Sequence, residues 1–261
     1  MSVYCASDWH GCYWVWEKVK EILEPTDTLY FLGDAADRGS NGWQIIKELL
    51  IDPRVIYLKG NHEDLLVKGM KTINLENPNH DWFKFHEYMR LWFLNGGEDT
   101  YSAILEDNTM PNHEKKDFIN QLSQLPFCTV YTNENEHNIL LSHAGCDDFE
   151  TAEICDEEDF LWGRMHYKFA DSWYGKDNEF IIHGHTPIEY MLEEQKEYSA
   201  FTALDRTKQG VIPYYHTIAE YNGGAYWYGK GHKICLDMGT TWTGNAVLLD
   251  LNTFEEIIIK K

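Results

Sequence analysis

Along the first sixty residues the apolar positions change period from one short stretch to the next. SVYCAS, residues 2–7, is a compact apolar run that reads as a strand, whereas WVWEKVKEIL repeats its apolar positions at helical spacing. TLYFLGD is a strand again, NGWQIIKELLI a helix and VIYLKGN a strand. Strand–helix–strand–helix–strand predicts parallel strands joined by crossover helices. Residues 63–125 are mostly helical in period, and DWFKFHEYMRLWFLNGG sets Trp82, Phe85, Met89 and Phe93 on one stripe that reads as core packing. Further on, FCTVYT, HNILLSHAG, EFIIHGHTP, KICLDMG, NAVLLDLN and FEEIIIKK read as strands with turn signals between them. Residues 190–232 break this rhythm. They are rich in Tyr and Gly, lack a clean period, and read as a long loop or small β-excursion inserted between two core strands. Their aromatic content argues against disorder. With no internal repeat, low-complexity tract or clear linker, residues 1–261 read as a single α/β domain.

Composition narrows the partners. Lys and Arg number 22 against 43 Asp and Glu, a formal charge of −21. Such a surface repels phosphate backbones and anionic lipid, so neither a nucleic acid nor a membrane is expected as partner. An anionic substrate stays open, because a metal and a few arginines reverse the local field. Cys5, Cys12, Cys128, Cys146, Cys155 and Cys235 are scattered without a C-x-x-C pair. There is no signal-like leader and no run of membrane-spanning length. Free thiols in a reducing, cytoplasmic setting are the expectation.

The chemistry gathers where strands should stop. SDWHG (7–11), GDAADRG (33–39), GNHED (60–64), SHAG (142–145) and GHTP (184–187) each follow an apolar run. In parallel sheets ligands collect at the carboxyl ends of strands. These strings offer Asp8, His10, Asp34, Asn61, His143 and His185, all oxygen or imidazole donors with no thiolate. That set suits Mn, Fe or Zn and argues against Mg or Ca alone. Six donors exceed what one open catalytic ion takes, but suit two ions sharing a carboxylate.

The ordered motifs resemble the calcineurin-like metallophosphoesterase superfamily, and within it the phosphoprotein phosphatase type. GDAADRG and GNHE match that type closely, SDWHG and SHAG with small departures. LNGG, FLWGR, GHTP and ICLDMGTTWTGN look like the compact bacterial and bacteriophage-lambda-type serine/threonine phosphatases. The resemblance runs from residue 3 to about 252, with 190–232 outside it. It implies a four-layer α/β/β/α sandwich with two divalent ions, Mn first and Fe or Zn as alternatives. Asp8 and His10 would bind one ion, Asn61, His143 and His185 the other, and Asp34 would bridge them. A hydroxide held between the ions would attack phosphorus in line. Arg38, Arg164 and Asn61 would hold the phosphate, His62 would protonate the leaving alkoxide, and Asp37 would fix the His62 tautomer.

The implied activity is phosphomonoester hydrolysis, with a phosphoprotein or phosphorylated small molecule as substrate. Symmetrical diadenosine tetraphosphate hydrolysis is the alternative, followed by phosphodiester hydrolysis. A partner-binding relic without chemistry would lack a ligand, His62 or Arg38, and none is missing. His183 is the nearest decoy to His185 and reads as a packed or supporting histidine. Glu63 reads as orienting its loop or starting the next helix.

Overall fold

The computed structural model describes residues 1–76, 87–168, 172–194 and 223–261. In chain order it runs β1 (Val3–Ala6), α1 (Tyr13–Ile22), β2 (Thr28–Phe31), α2 (Gly42–Ile51), β3 (Val55–Tyr57), α3 (Asn61–Met70), α4 (Glu87–Leu94), α5 (Glu98–Glu106) and α6 (Asn112–Ser123). Then follow β4 (Cys128–Thr132), β5 (Asn138–Ser142), α7 (Phe149–Ala152), α8 (Glu157–Trp162) and β6 (Glu179–His183). The chain closes with β7 (Tyr226–Tyr228), β8 (Lys233–Cys235), β9 (Asn245–Asp250) and β10 (Glu256–Lys260).

These strands make two sheets, ordered β10-β9-β1-β2-β3 and β4-β5-β6-β8-β7. In the first, β1, β2 and β3 are parallel, as the alternation with α1 and α2 predicts, and β9 and β10 add antiparallel. In the second, β5, β6 and β8 are parallel and β4 and β7 flank them antiparallel. Each sheet thus has three parallel strands whose carboxyl ends share a direction.

Period-two alternation assigns the faces. Val3 and Cys5 of β1, and Val247 and Leu249 of β9, point between the sheets, where they meet Ile139, Leu141 and Ile182 of the second. Ala6, Leu29, Phe31 and Leu248 point the other way, into a core completed by Val15 and Trp16 of α1, Ile45 and Ile46 of α2, and Leu66 of α3. Leu140 and Ile181 face out from the second sheet onto Phe160 and Trp173, a thinner layer. Helices, two sheets and a thin outer layer give the four-layer α/β/β/α sandwich. α3–α6 occupy the stretch of helical period. Met89 is fully buried and Phe93 packs on the core, while Trp82 and Phe85 lie outside the described residues. Of the 190–232 stretch, 195–222 lies outside them too; its end supplies β7, an edge strand.

Candidate active site

Every parallel strand delivers a polar side chain just past its carboxyl end: Asp8 after β1, Asp34 after β2, Asn61 after β3, His143 after β5, His185 after β6 and Asp237 after β8. Turning sharply off a strand while aiming a side chain inward needs unusual backbone. Asp8, His10, Asp34, Asp37, Arg38 and His185 all have positive φ, between 42° and 69°. Non-glycine residues reach that region at a cost and persist there only where surroundings enforce it. Two close approaches enforce it here. A Cβ on Gly60 would sit 2.2 Å from Asp34 Oδ1, and one on Gly184 would sit 1.9 Å from Asp8 Oδ2. Glu63, at the third position of α3, ties the loops together by accepting hydrogen bonds from the backbone N–H of Asp34 (2.7 Å), Ala35 (2.9 Å) and Gly60 (2.9 Å). Its loop-orienting reading from the sequence fits these contacts.

The structure brings all ten sequence-selected residues into one cluster. Asp34 Oδ2 lies 3.5 Å from Nε2 of both His10 and His143, and 3.8 Å from Nε2 of His62. Asp8 Oδ1 lies 3.8 Å from His10 Nε2. Asn61 Oδ1 lies 2.8 Å from His143 Nε2 and 3.1 Å from His185 Nδ1. Arg38 reaches Nε2 of His10 at 2.9 Å and of His62 at 3.1 Å, and Arg164 donates from Nε to His185 Nε2 at 3.1 Å. His62 Nδ1 donates to Asp37 Oδ2 at 2.7 Å, and the Trp92 indole donates to the same oxygen at 2.8 Å.

Burial dominates the electrostatics. It pushes the Asp8 and Asp34 carboxyls well above their usual range, with the charges of Asp237 on Asp8, and of Asp8 and Glu63 on Asp34, adding to it. It holds His143 down to about 3 and His10 and His185 well below the ordinary imidazole value, so these rings are neutral. Neutral imidazoles beside crowded carboxylates are what a cation needs and what a protein without one finds costly.

The hydrogen bonds test that fit. Nδ1 of His10 donates to Ala36 O and Nδ1 of His143 to Leu32 O, each at 2.9 Å, which leaves a bare lone pair on Nε2. A backbone carbonyl fixing the far nitrogen is the usual support of a metal-ligating histidine. Those lone pairs face the Asp34 carboxylate and the Asn61 amide oxygen, while the buried Asp8 Oδ1 has no hydrogen-bond partner. Acceptors facing acceptors require a positive centre, and the Arg38 guanidinium already supplies one to His10 Nε2. Among the described residues, two groups have the reach to hold an ion, His10–Asp34–His62 and Asp8–Asp34–His143, and Asp34 is common to both. Asp8 also stands 3.8 Å from His10, the residue the resemblance pairs with it.

Two residues emerge that the sequence did not single out. Trp92 is buried on α4, and its N–H reaches Asp37 across 55 positions of chain. Asp237, in KICLDMG, follows β8. It is buried, its Oδ2 has no partner, and burial pushes its carboxyl up to about 6. His183 is buried, bonded to the Tyr228 hydroxyl at 2.7 Å and edge-on to His166, in keeping with a packed histidine.

Known proteins share this architecture. A family model described as calcineurin-like phosphoesterase matches residues 1–232. The symmetrical bis(5'-nucleosyl)-tetraphosphatase of Buchnera aphidicola is 26% identical over 192 residues, covering 69% of this chain and 59% of that protein. The match therefore spans less than two thirds of that relative. A solved structure described as a candidate diadenosine tetraphosphatase superposes with a TM-score of 0.59 at 15% identity, covering 99% of this chain and 92% of the other. A serine/threonine phosphatase from Saccharomyces cerevisiae gives 0.50 at 14% identity, covering 99% and 79%. The family model spans β1 to β7 and every strand end that carries the cluster up to His185, and on that ground the chain belongs to the calcineurin-like phosphoesterase family, a family of metal-dependent hydrolases.

Proposed function

We propose that this chain is a dinuclear metal-dependent phosphomonoester hydrolase acting on phosphoserine or phosphothreonine in proteins. The observation that carries the reading is the His62–Asp37 pair. Asp37 holds Nδ1 of His62 at 2.7 Å and is itself fixed by Trp92, so Nε2 is turned toward the cluster as the atom that would carry a proton. A serine or threonine alkoxide is a poor leaving group and needs that proton as the P–O bond breaks. Asp8, His10, Asp34, Asn61, His143 and His185 would hold the ions. Bound there, the ions supply an acidified water and charge stabilisation at phosphorus. Arg38 and Arg164 flank the cluster from His10 and His185, and their planar donor forks match phosphate oxygens. The Asn61 amide would add a third contact.

A second reading is favoured by the Buchnera relative, whose name is that of a symmetrical dinucleoside tetraphosphatase. Its leaving group would be a nucleoside diphosphate, which departs without help from an acid. One substitution separates the two. His62→Asn should lower kcat/KM on a phosphoserine peptide by roughly 10²–10⁴-fold and on p-nitrophenyl phosphate far less, both at saturating metal. A uniform loss would remove His62 as the acid. Wild-type activity on diadenosine tetraphosphate but not on the phosphopeptide would select the second reading.

A further inference from the structure

The metal centre leaves the outer face of the second sheet unused, and that face carries a groove. We propose that this groove, along the β4 edge, docks an extended segment of alternating basic and apolar residues from a partner protein. The cavity measures about 570 Å³ and is floored by Cys128, Val130, Leu140, Phe149 and Phe160, with Tyr174 on its rim. Val130 and Leu140 are cross-strand partners on this face. Val130 is 51% exposed and Tyr174 78%, so the apolar floor is open to a ligand.

β4 is the last strand of its sheet, and among the described residues nothing pairs with its outer edge. Edges of this kind are normally blunted by Lys, Pro or a bulge. The β4 sequence CTVYT has no charge and no proline. An extended peptide adding to such an edge gains main-chain hydrogen bonds, and every second side chain falls into the groove.

Charge selects the occupant. Glu150 and Glu153 line the groove, are exposed, and make no ion pair among the described residues. Lys176, the base on the rim, is neutralised by Glu179 at 2.7 Å. The rim is therefore acidic in effect and matches a basic strand. A second copy of this chain would bring its own charge of −21 against it. The inference is independent of which phosphoester the metal centre takes, because docking is read without turnover.

The test uses the full chain and a fluorescein-labelled heptapeptide of alternating Lys and Val, followed by fluorescence anisotropy. Saturable binding that weakens with salt is expected. Val130→Lys, and separately Glu150→Lys with Glu153→Lys, should each raise Kd on the order of tenfold or more. The same peptide N-methylated at alternate amides should fail to bind, and p-nitrophenyl phosphate turnover should stay unchanged in every variant. Equal binding of the N-methylated peptide, or of the wild-type peptide to the variants, would overturn the proposal, since diffuse charge attraction then explains the signal. Sedimentation showing a dimer that Val130→Lys dissolves would also overturn it, by giving the edge to a second copy.

Discussion

At the scale of single residues, the cluster is set by what the backbone will not tolerate. Gly184 is the sharpest case, since its missing Cβ is where Asp8 Oδ2 and Ser7 Oγ stand, at 1.9 and 2.2 Å. Gly184→Ala should cost about 1–3 kcal/mol from overpacking. More diagnostically, it should displace Asp8 and lower metal content, measured by elemental analysis of the purified variant. Normal metal with normal activity would mean the loop shifts as a body. Asp34 is the complementary case. It belongs to both groups that, among the described residues, have the reach to hold an ion, so Asp34→Asn should lose more metal than His185→Asn. The reverse order would show that Asp34 does not bridge. Glu63 explains why Asp34 is so well placed: one carboxylate collects the N–H groups of both flanking loops. Nothing in GNHED announces those bonds, although the spacing from Gly60 to Glu63 announces a helix start.

At the scale of elements, the core strands were legible as short apolar runs bounded by turn residues, which is how strands buried on both faces read. Val3 and Cys5 turn to one core, Tyr4 and Ala6 to the other, so the run is apolar throughout. β7 was legible only as part of a long loop or small β-excursion. Tyr226, Trp227 and Tyr228 are a short run among glycines, and their strand state comes from pairing with β8. Trp92 was not legible: a tryptophan on an apolar helix face reads the same whether or not its N–H finds a carboxylate. Between helices, Asp107 at the end of α5 is the main polar tie to α2. It accepts from Lys47 Nζ at 2.6 Å and Trp43 Nε1 at 2.9 Å. Burial alone would raise its carboxyl, but the Lys47, Thr109 and Trp43 hydrogen bonds outweigh that and hold it far below its usual range. A depressed carboxyl stabilises the fold above its unfolded value, about 3.9, and loses that contribution as pH falls below it. Asp107→Ala should therefore cost about 2 kcal/mol in urea unfolding at pH 7. The gap to wild type should narrow as pH drops from 5 to 3. A gap that stays constant would show that packing, not the charge, is what Asp107 contributes.

At the scale of the whole molecule, the two sheets meet face to face through an apolar interior, tied at its margins by Tyr131–Asn252 and Trp227–Glu256, and the buried ionisable chemistry crosses between them at their carboxyl ends. Asp8 and Asp34 come from the first sheet, and His143 and His185 from the second. Among the contacts that span the gap are an Asp8 oxygen accepting the His185 N–H at 3.0 Å and the 3.5 Å approach of Asp34 to His143. Ions bound in this cluster would therefore act as cross-links between sheets as well as reagents. They would also neutralise buried carboxylates in a protein that carries −21 overall. Binding to the folded chain alone stabilises it by RT ln(1 + [M]/Kd), about 2.7 kcal/mol per site at a hundredfold excess over Kd. Chelation should lower the melting temperature by several degrees, and Mn added back should restore it with a concentration dependence. Hydrogen exchange should report the loss most strongly at the residues following β1, β2, β5 and β6, and least at the opposite ends of the same strands. Asp34→Asn should abolish most of the Mn-dependent gain while leaving the chelated protein at or above the wild-type melting temperature, because removing a buried charge relieves the repulsion that burial imposes on Asp8 and Asp34. A melting temperature indifferent to chelator and Mn would show that the cluster does not join the sheets through metal, and the assignment of these six ligands would fall with it.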